Sequence, residues 1–232
     1  MRFKFSALLA TAMVLVVAAA MPLIIQGADA PVLQAFDFSQ DEIDSTPKSL
    51  NVPATDGHGV VEVVSAPDLP SGRALRILAP ASETKHYITA RTPRLKLSDP
   101  KAAKLCYEFL LKWVQGTGGS SNFIYITVQD SHRIIMLPSM GMLKWHARDA
   151  GMLAQDVAVI GRDWHRVRVV ADRIKSEATL YIDDMNRPYL ENLPLHRAVD
   201  SWDGTQLILR SETAKNEARE VLYADLRIWV ED

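Results

Sequence analysis

Apolar and polar positions alternate with a period of two through most of the chain, and no stretch carries the apolar spacing of an amphipathic helix. The alternation is cleanest in three segments. In Leu105–Trp113, the side chains of Leu105, Tyr107, Phe109, Leu111 and Trp113 share one side, while Glu108 and Lys112 take the other. In Trp164–Asp172, Val167, Val169 and Ala171 oppose Arg166, Arg168 and Asp172; in Ala178–Asp183, Ala178, Leu180 and Ile182 oppose Thr179, Tyr181 and Asp183. Successive strand side chains point to opposite faces, so each segment predicts a strand with one core face and one polar face. Further strands are predicted near Val32–Phe38, Val60–Ser65, Ala74–Ala79, His86–Thr92, Phe123–Asp130, Arg133–Leu137, Leu143–Arg148, Asp156–Ile160, Gln206–Arg210 and Leu222–Val230.

Turn chemistry separates them: Asp56-Gly57-His58-Gly59, Pro70-Ser71-Gly72 and the run from Gly116 to Ser121 supply residues that start turns or tolerate positive φ. Short strands spaced about 8–12 residues apart predict an all-β fold, a two-sheet antiparallel sandwich. With no internal repeat or low-complexity tract, residues 31–232 are expected to form one domain, large enough to bury a core without disulfides.

The first thirty residues differ in kind. Arg2 and Lys4 precede an uncharged apolar run from Phe5 to Ile25, the pattern of a secretory signal. A membrane span needs roughly 20 apolar residues, a length this run reaches only by passing through Pro22, so cleavage is expected, after Ala20 or Ala30, with no stable span remaining. Export to the periplasm, cell surface or medium follows. Removing Arg2, Lys4 and Asp29 from 26 basic and 28 acidic residues leaves 24 and 27, a net charge of −3, which offers nothing to nucleic acid. The single cysteine, Cys106, forms no internal bridge and reads as a small buried hydrophobe; it also lies far from either cleavage point, which argues against a lipid anchor.

Two paired runs, Trp164-His165-Arg166-Val167-Arg168-Val169-Val170-Ala171-Asp172 and Ala178-Thr179-Leu180-Tyr181-Ile182-Asp183-Asp184, resemble the "W-x-x-V-x-V-x-x-D … L-Y-I-D-G" strands of the concanavalin A-like lectin and glucanase superfamily, including laminin G-like domains. The closing Leu222-Tyr223-Ala224-Asp225-Leu226-Arg227-Ile228-Trp229-Val230 is similar to that group's last strand, and Phe36-Asp37-Phe38-Ser39 with Pro47 to its start. The resemblance implies a jelly roll with one concave sheet able to cradle a saccharide. It also implies a structural calcium between an acidic residue of the first strand and an Asp of the last. Asp225 fits the second position, but Ser39 stands at the first, leaving Asp37 as the substitute.

The glucanase branch implies an E-x-D-x-x-E or E-x-D-x-E strand, which this chain lacks. The lyase branch implies a cation to neutralise a uronate, with Gln, His and Tyr for proton transfer; its residue types occur here without its local motifs. The polar strand positions supply the candidates for glycan contact: Glu108, Tyr125, Gln129, Lys144, His146, Arg148, Arg166, Arg168 and Tyr181. Guanidinium matches carboxylate and sulfate bidentately, so acidic glycans suit such a face, provided that the segments of Glu108, His146, Arg168 and Tyr181 lie side by side. For each residue alone, a solvated sheet face is the competing account. Trp145 and Trp202 are the expected sugar platforms, while Trp113, Trp164 and Trp229 are expected in the core. The reading ranked first is a secreted noncatalytic domain that binds a polysaccharide or glycoconjugate. A polysaccharide lyase or glycoside hydrolase stands as the alternative, and a structural envelope protein after it.

Overall fold

The computed structural model describes residues 32–97, 102–116, 122–139, 142–146, 155–159 and 161–231. The expected signal segment and Arg148 lie outside the described residues. Fourteen strands follow one another without a helix among them: β1 (Gln34–Phe36), β2 (Val60–Ser65), β3 (Arg73–Ala79), β4 (Tyr87–Arg91), β5 (Lys104–Gln115), β6 (Asn122–Val128), β7 (Ser131–Ser139), β8 (Met142–His146), β9 (Gln155–Val159), β10 (Trp164–Asp172), β11 (Glu177–Ile182), β12 (Leu190–Pro194), β13 (Thr205–Glu212) and β14 (Arg219–Glu231). All the expected strands are present, and β12, short, preceded by Pro188 and ending at Pro194, is one that alternation does not announce.

These strands form two antiparallel sheets. The eight-stranded sheet runs β12-β11-β10-β5-β14-β3-β2 with β1 also on β14, and the six-stranded sheet runs β4-β13-β6-β7-β8-β9. The alternation sets their inner faces. Tyr107, Phe109, Leu111, Val167, Val169 and Leu180 from the first sheet meet Ile88, Ile124, Ile126, Ile134, Leu207 and Leu209 from the second in one continuous core. Phe109 packs edge-on to Tyr223 at 6.1 Å, and at this depth truncating such a ring costs about 3–5 kcal/mol.

The topology corrects one expectation. Glu108, Arg166, Arg168 and Tyr181 belong to the eight-stranded sheet, whereas Tyr125, Lys144 and His146 belong to the six-stranded one, so the outward side chains of the two groups lie on opposite sides of the sandwich. Gln129 is not on a strand face. It forms with Asp130 the two-residue turn of the β6–β7 hairpin, both residues having positive φ (49° and 64°) as a type I′ turn requires. Trp145 and Trp202 are core residues, 3% and 0% exposed, whose indole N–H groups donate to the carbonyls of Pro194 and Ala103. Trp164 and Trp229, expected inside, sit on the outer face of the eight-stranded sheet, because each shares its strand's parity with the arginines rather than with the valines and isoleucine.

Candidate functional site

The outer face of the eight-stranded sheet is a lattice of closed ion pairs. Pairing of β11, β10, β5 and β14 aligns Tyr181, Arg168, Glu108 and Arg227 in one row. Glu108 is only 4% exposed; one of its oxygens accepts Arg168 Nε at 2.6 Å and the other Arg166 Nη1 at 3.2 Å. The Arg168 guanidinium lies 5.5 Å over the Trp229 ring, and its charge opposes the burial that raises the pKa of the Tyr181 phenol. Farther along, Arg76 bridges Glu62 (2.8 Å) and Glu220 (2.9 Å), while Lys112 and the Trp164 N–H converge on Asp68. Each of the arginines 76, 166, 168 and 227 on this face already has a carboxylate. Such a surface stabilises the sheet and has little left for a ligand.

The six-stranded sheet presents the opposite balance. Cross-strand register places Arg91, Ile208, Tyr125, Ile135 and His146 in one row and Thr89, Arg210 and Phe123 in the next. The Arg210 guanidinium lies 4.9 Å from the Tyr87 ring and 5.3 Å from the Tyr125 ring. Tyr125 stacks on Phe123 (5.4 Å) and on His132 (4.4 Å), and His146 tilts against His196 at 5.3 Å. Among the described residues, neither Arg91 nor Arg210 has a carboxylate partner, and the Nε of each is buried without a hydrogen bond. Tyr125 is itself only 7% exposed, so the accessible layer is formed by Tyr87, half exposed, with Arg91, Arg210, Phe123, His132, Lys144 and His146. Burial raises the Tyr125 pKa, with Arg210 opposing; burial, then Arg210 and Arg197, lowers that of His132.

Of the sequence candidates, this face gathers Tyr125, Lys144 and His146. Tyr87, Arg91, Phe123, His132 and Arg210 join them without having been singled out. The signal was present: Arg210 has the parity opposite to Leu207 and Leu209, and Tyr87 and Arg91 the parity opposite to Ile88 and Ala90.

The implied calcium does not fit. Continuing the β1–β14 register past Phe36 and Leu226 sets Asp37 opposite Asp225, yet both oxygens of Asp225 accept from Arg227, at 2.9 and 3.0 Å. Asp37 accepts the backbone N–H and hydroxyl of Ser39; these bonds, with a smaller contribution from Arg227, outweigh its partial burial and lower its pKa. A hard cation needs about six to eight oxygens, and the described residues contain no group of three acidic, His or Cys side chains able to hold a metal.

No family model matches the chain, and no curated protein sequence does. Solved structures do match in shape. A sialidase superposes with a TM-score of 0.65 at 13% identity over 88% of this chain, which spans 19% of that much longer protein. A carbohydrate esterase from the Shiga toxin-encoding bacteriophage phi24B gives 0.57 at 13% identity, covering 88% of this chain and all of that one. The carbohydrate recognition domain of Emp47p gives 0.54 at 12% identity, covering 89% and 100%. The architecture of this chain, two antiparallel sheets packed over one core, is the β-sandwich fold that it shares with these structures.

Proposed function

We propose that this protein is an exported carbohydrate-binding domain, comprising residues 31–232, which binds acidic glycans on the outer face of its six-stranded sheet. The observation that carries the reading is the contrast between the two faces. Arginines 76, 166, 168 and 227 on the eight-stranded sheet are ion-paired, whereas Arg91 and Arg210 have no carboxylate partner among the described residues, and Arg210 lies between two aromatic rings. A guanidinium set between the Tyr87 and Tyr125 rings without a carboxylate of its own suits an incoming carboxylate or sulfate, and the rings offer apolar surface to a sugar. The fold likeness to a protein named as a carbohydrate recognition domain supports the ligand class, and the signal-like first thirty residues support export.

Calorimetry with alginate, sulfated and neutral β-glucan oligosaccharides tests the reading. Saturable binding of the charged probes is expected, with Arg210→Ala weakening it roughly 10- to 100-fold, the equivalent of a lost charge-assisted hydrogen bond. A mature protein that binds none of the three is not a domain of this kind.

A second reading, β-elimination of a uronate polymer, is favoured by one observation: the Tyr125 and His132 rings stack 4.4 Å apart beside Arg210, where burial raises the pKa of the phenol and lowers that of the imidazole. Ultraviolet absorbance of unsaturated products from alginate decides it, and binding without such products leaves the domain noncatalytic.

A further inference from the structure

The geometry points to His132 as a proton-linked part of the anion-binding face: its imidazole gains a proton together with the ligand, so acidic glycans bind more tightly as the pH falls. The inference rests on the binding reading above and adds a regulation to it.

His132 lies near the start of β7, in register with Thr127 of β6, and its ring is stacked on Tyr125. Its Nδ1 is buried and makes no hydrogen bond within the protein. The charged and titratable groups that face it come from three neighbouring elements. From β6 comes Tyr125, from β13 Arg210, and from the loop after β12 Arg197, whose Nη1 donates to Ser131 Oγ at 3.3 Å. On its own strand Arg133 follows, with Nη1 donating to the Ala198 carbonyl; Asp200 acts on Arg133 against the charge of Arg197. No carboxylate among the described residues acts on His132 directly.

The free protein therefore disfavours the imidazolium twice over, by burial and by two guanidiniums of like charge. A carboxylate or sulfate drawn to those guanidiniums cancels their charge and brings its own opposite charge to the ring. Binding thus raises the proton affinity of His132, and reciprocity requires protonation to raise the ligand affinity by the same factor. His146 lies in the neighbouring row beside His196 and is separable from His132 by substitution.

Affinity for an alginate oligosaccharide and for a sulfated oligosaccharide is measured from one pH unit above to one unit below the ordinary imidazole value of 6.5. One linked proton allows a gain of up to about tenfold per unit, and the sulfated probe keeps its own charge constant throughout. The gain is expected with both probes and is expected to flatten in His132→Asn. Proton NMR titration of the His132 ring in the unaltered protein reads the same linkage without a variant, as a midpoint that rises when the probe saturates. Binding that is indifferent to pH, or a midpoint that stays in place under saturating probe, overturns the inference and leaves the binding reading standing. No binding at any pH removes both.

Discussion

Glu108 is held by two guanidiniums in a position almost closed to water, so its removal leaves two positive charges packed side by side. Glu108→Gln is expected to lower stability by about 2 kcal/mol, read as a shift in the urea midpoint at unchanged slope. Arg168→Ala is expected to destabilise as well while leaving oligosaccharide affinity intact, which distinguishes a brace in the sheet from a ligand contact. Cys106 lies in the next row of that face, and burial together with Glu231 pushes its thiol pKa far up. A thiol reagent is expected to leave it untouched in the folded protein and to label it in urea. The depressed carboxyl of Asp37 carries its own sign: the stability it contributes is complete above its ordinary value near 3.8 and is lost as the pH falls through the lower folded value. Asp37→Asn should therefore flatten the acid limb of the unfolding curve.

At the level of elements, Gly59 lies one residue before β2, where an added Cβ would fall 2.4 Å from Ile88 Cδ1 and 2.7 Å from the Leu78 carbonyl. The Ile88 tip can rotate, but the carbonyl belongs to the β3 backbone and cannot. Gly59→Ala is expected to cost about 1–3 kcal/mol by thermal or urea unfolding. Alternation placed β2 and β10 at their observed ends and sorted the inward from the outward side chains of β5, β10 and β11. Its blind spot is which strand neighbours which. The chain passes from one sheet to the other between β3 and β4, again after β4, β5, β9 and β12, and finally after β13; a period of two carries no mark of such a crossing. Hence the polar faces of Arg168 and His146 read alike in sequence and lie on opposite sides in space. The indoles failed for a different reason: parity already sets Trp145 with core Leu143 and Trp229 with outward Arg227, and the apolar bulk of an indole does not override it.

Across the whole molecule, the first and last strands are joined through β1 and β14, and the carboxylate pair at that seam already has a resident cation in Arg227. Chelation with EDTA is therefore expected to leave the unfolding temperature unmoved, whereas Arg227→Ala lowers it. Three of the four edge strands, β4, β2 and β12, are blunted as well. The Asn51 backbone pairs with Arg91 on β4, Asp44 and Ser45 cover Val63 on β2, and β12 carries left-handed Asn192 and ends at Pro194. The distribution of indoles has a practical outcome. Trp113, Trp145 and Trp202 are sealed inside, and Trp164 and Trp229 look out on the far side, so none borders the Tyr87–Arg210–Tyr125 array. Tryptophan emission should thus follow unfolding faithfully and stay silent while a sugar docks, and a screen by indole quenching would overlook a ligand that tyrosine emission or calorimetry detects.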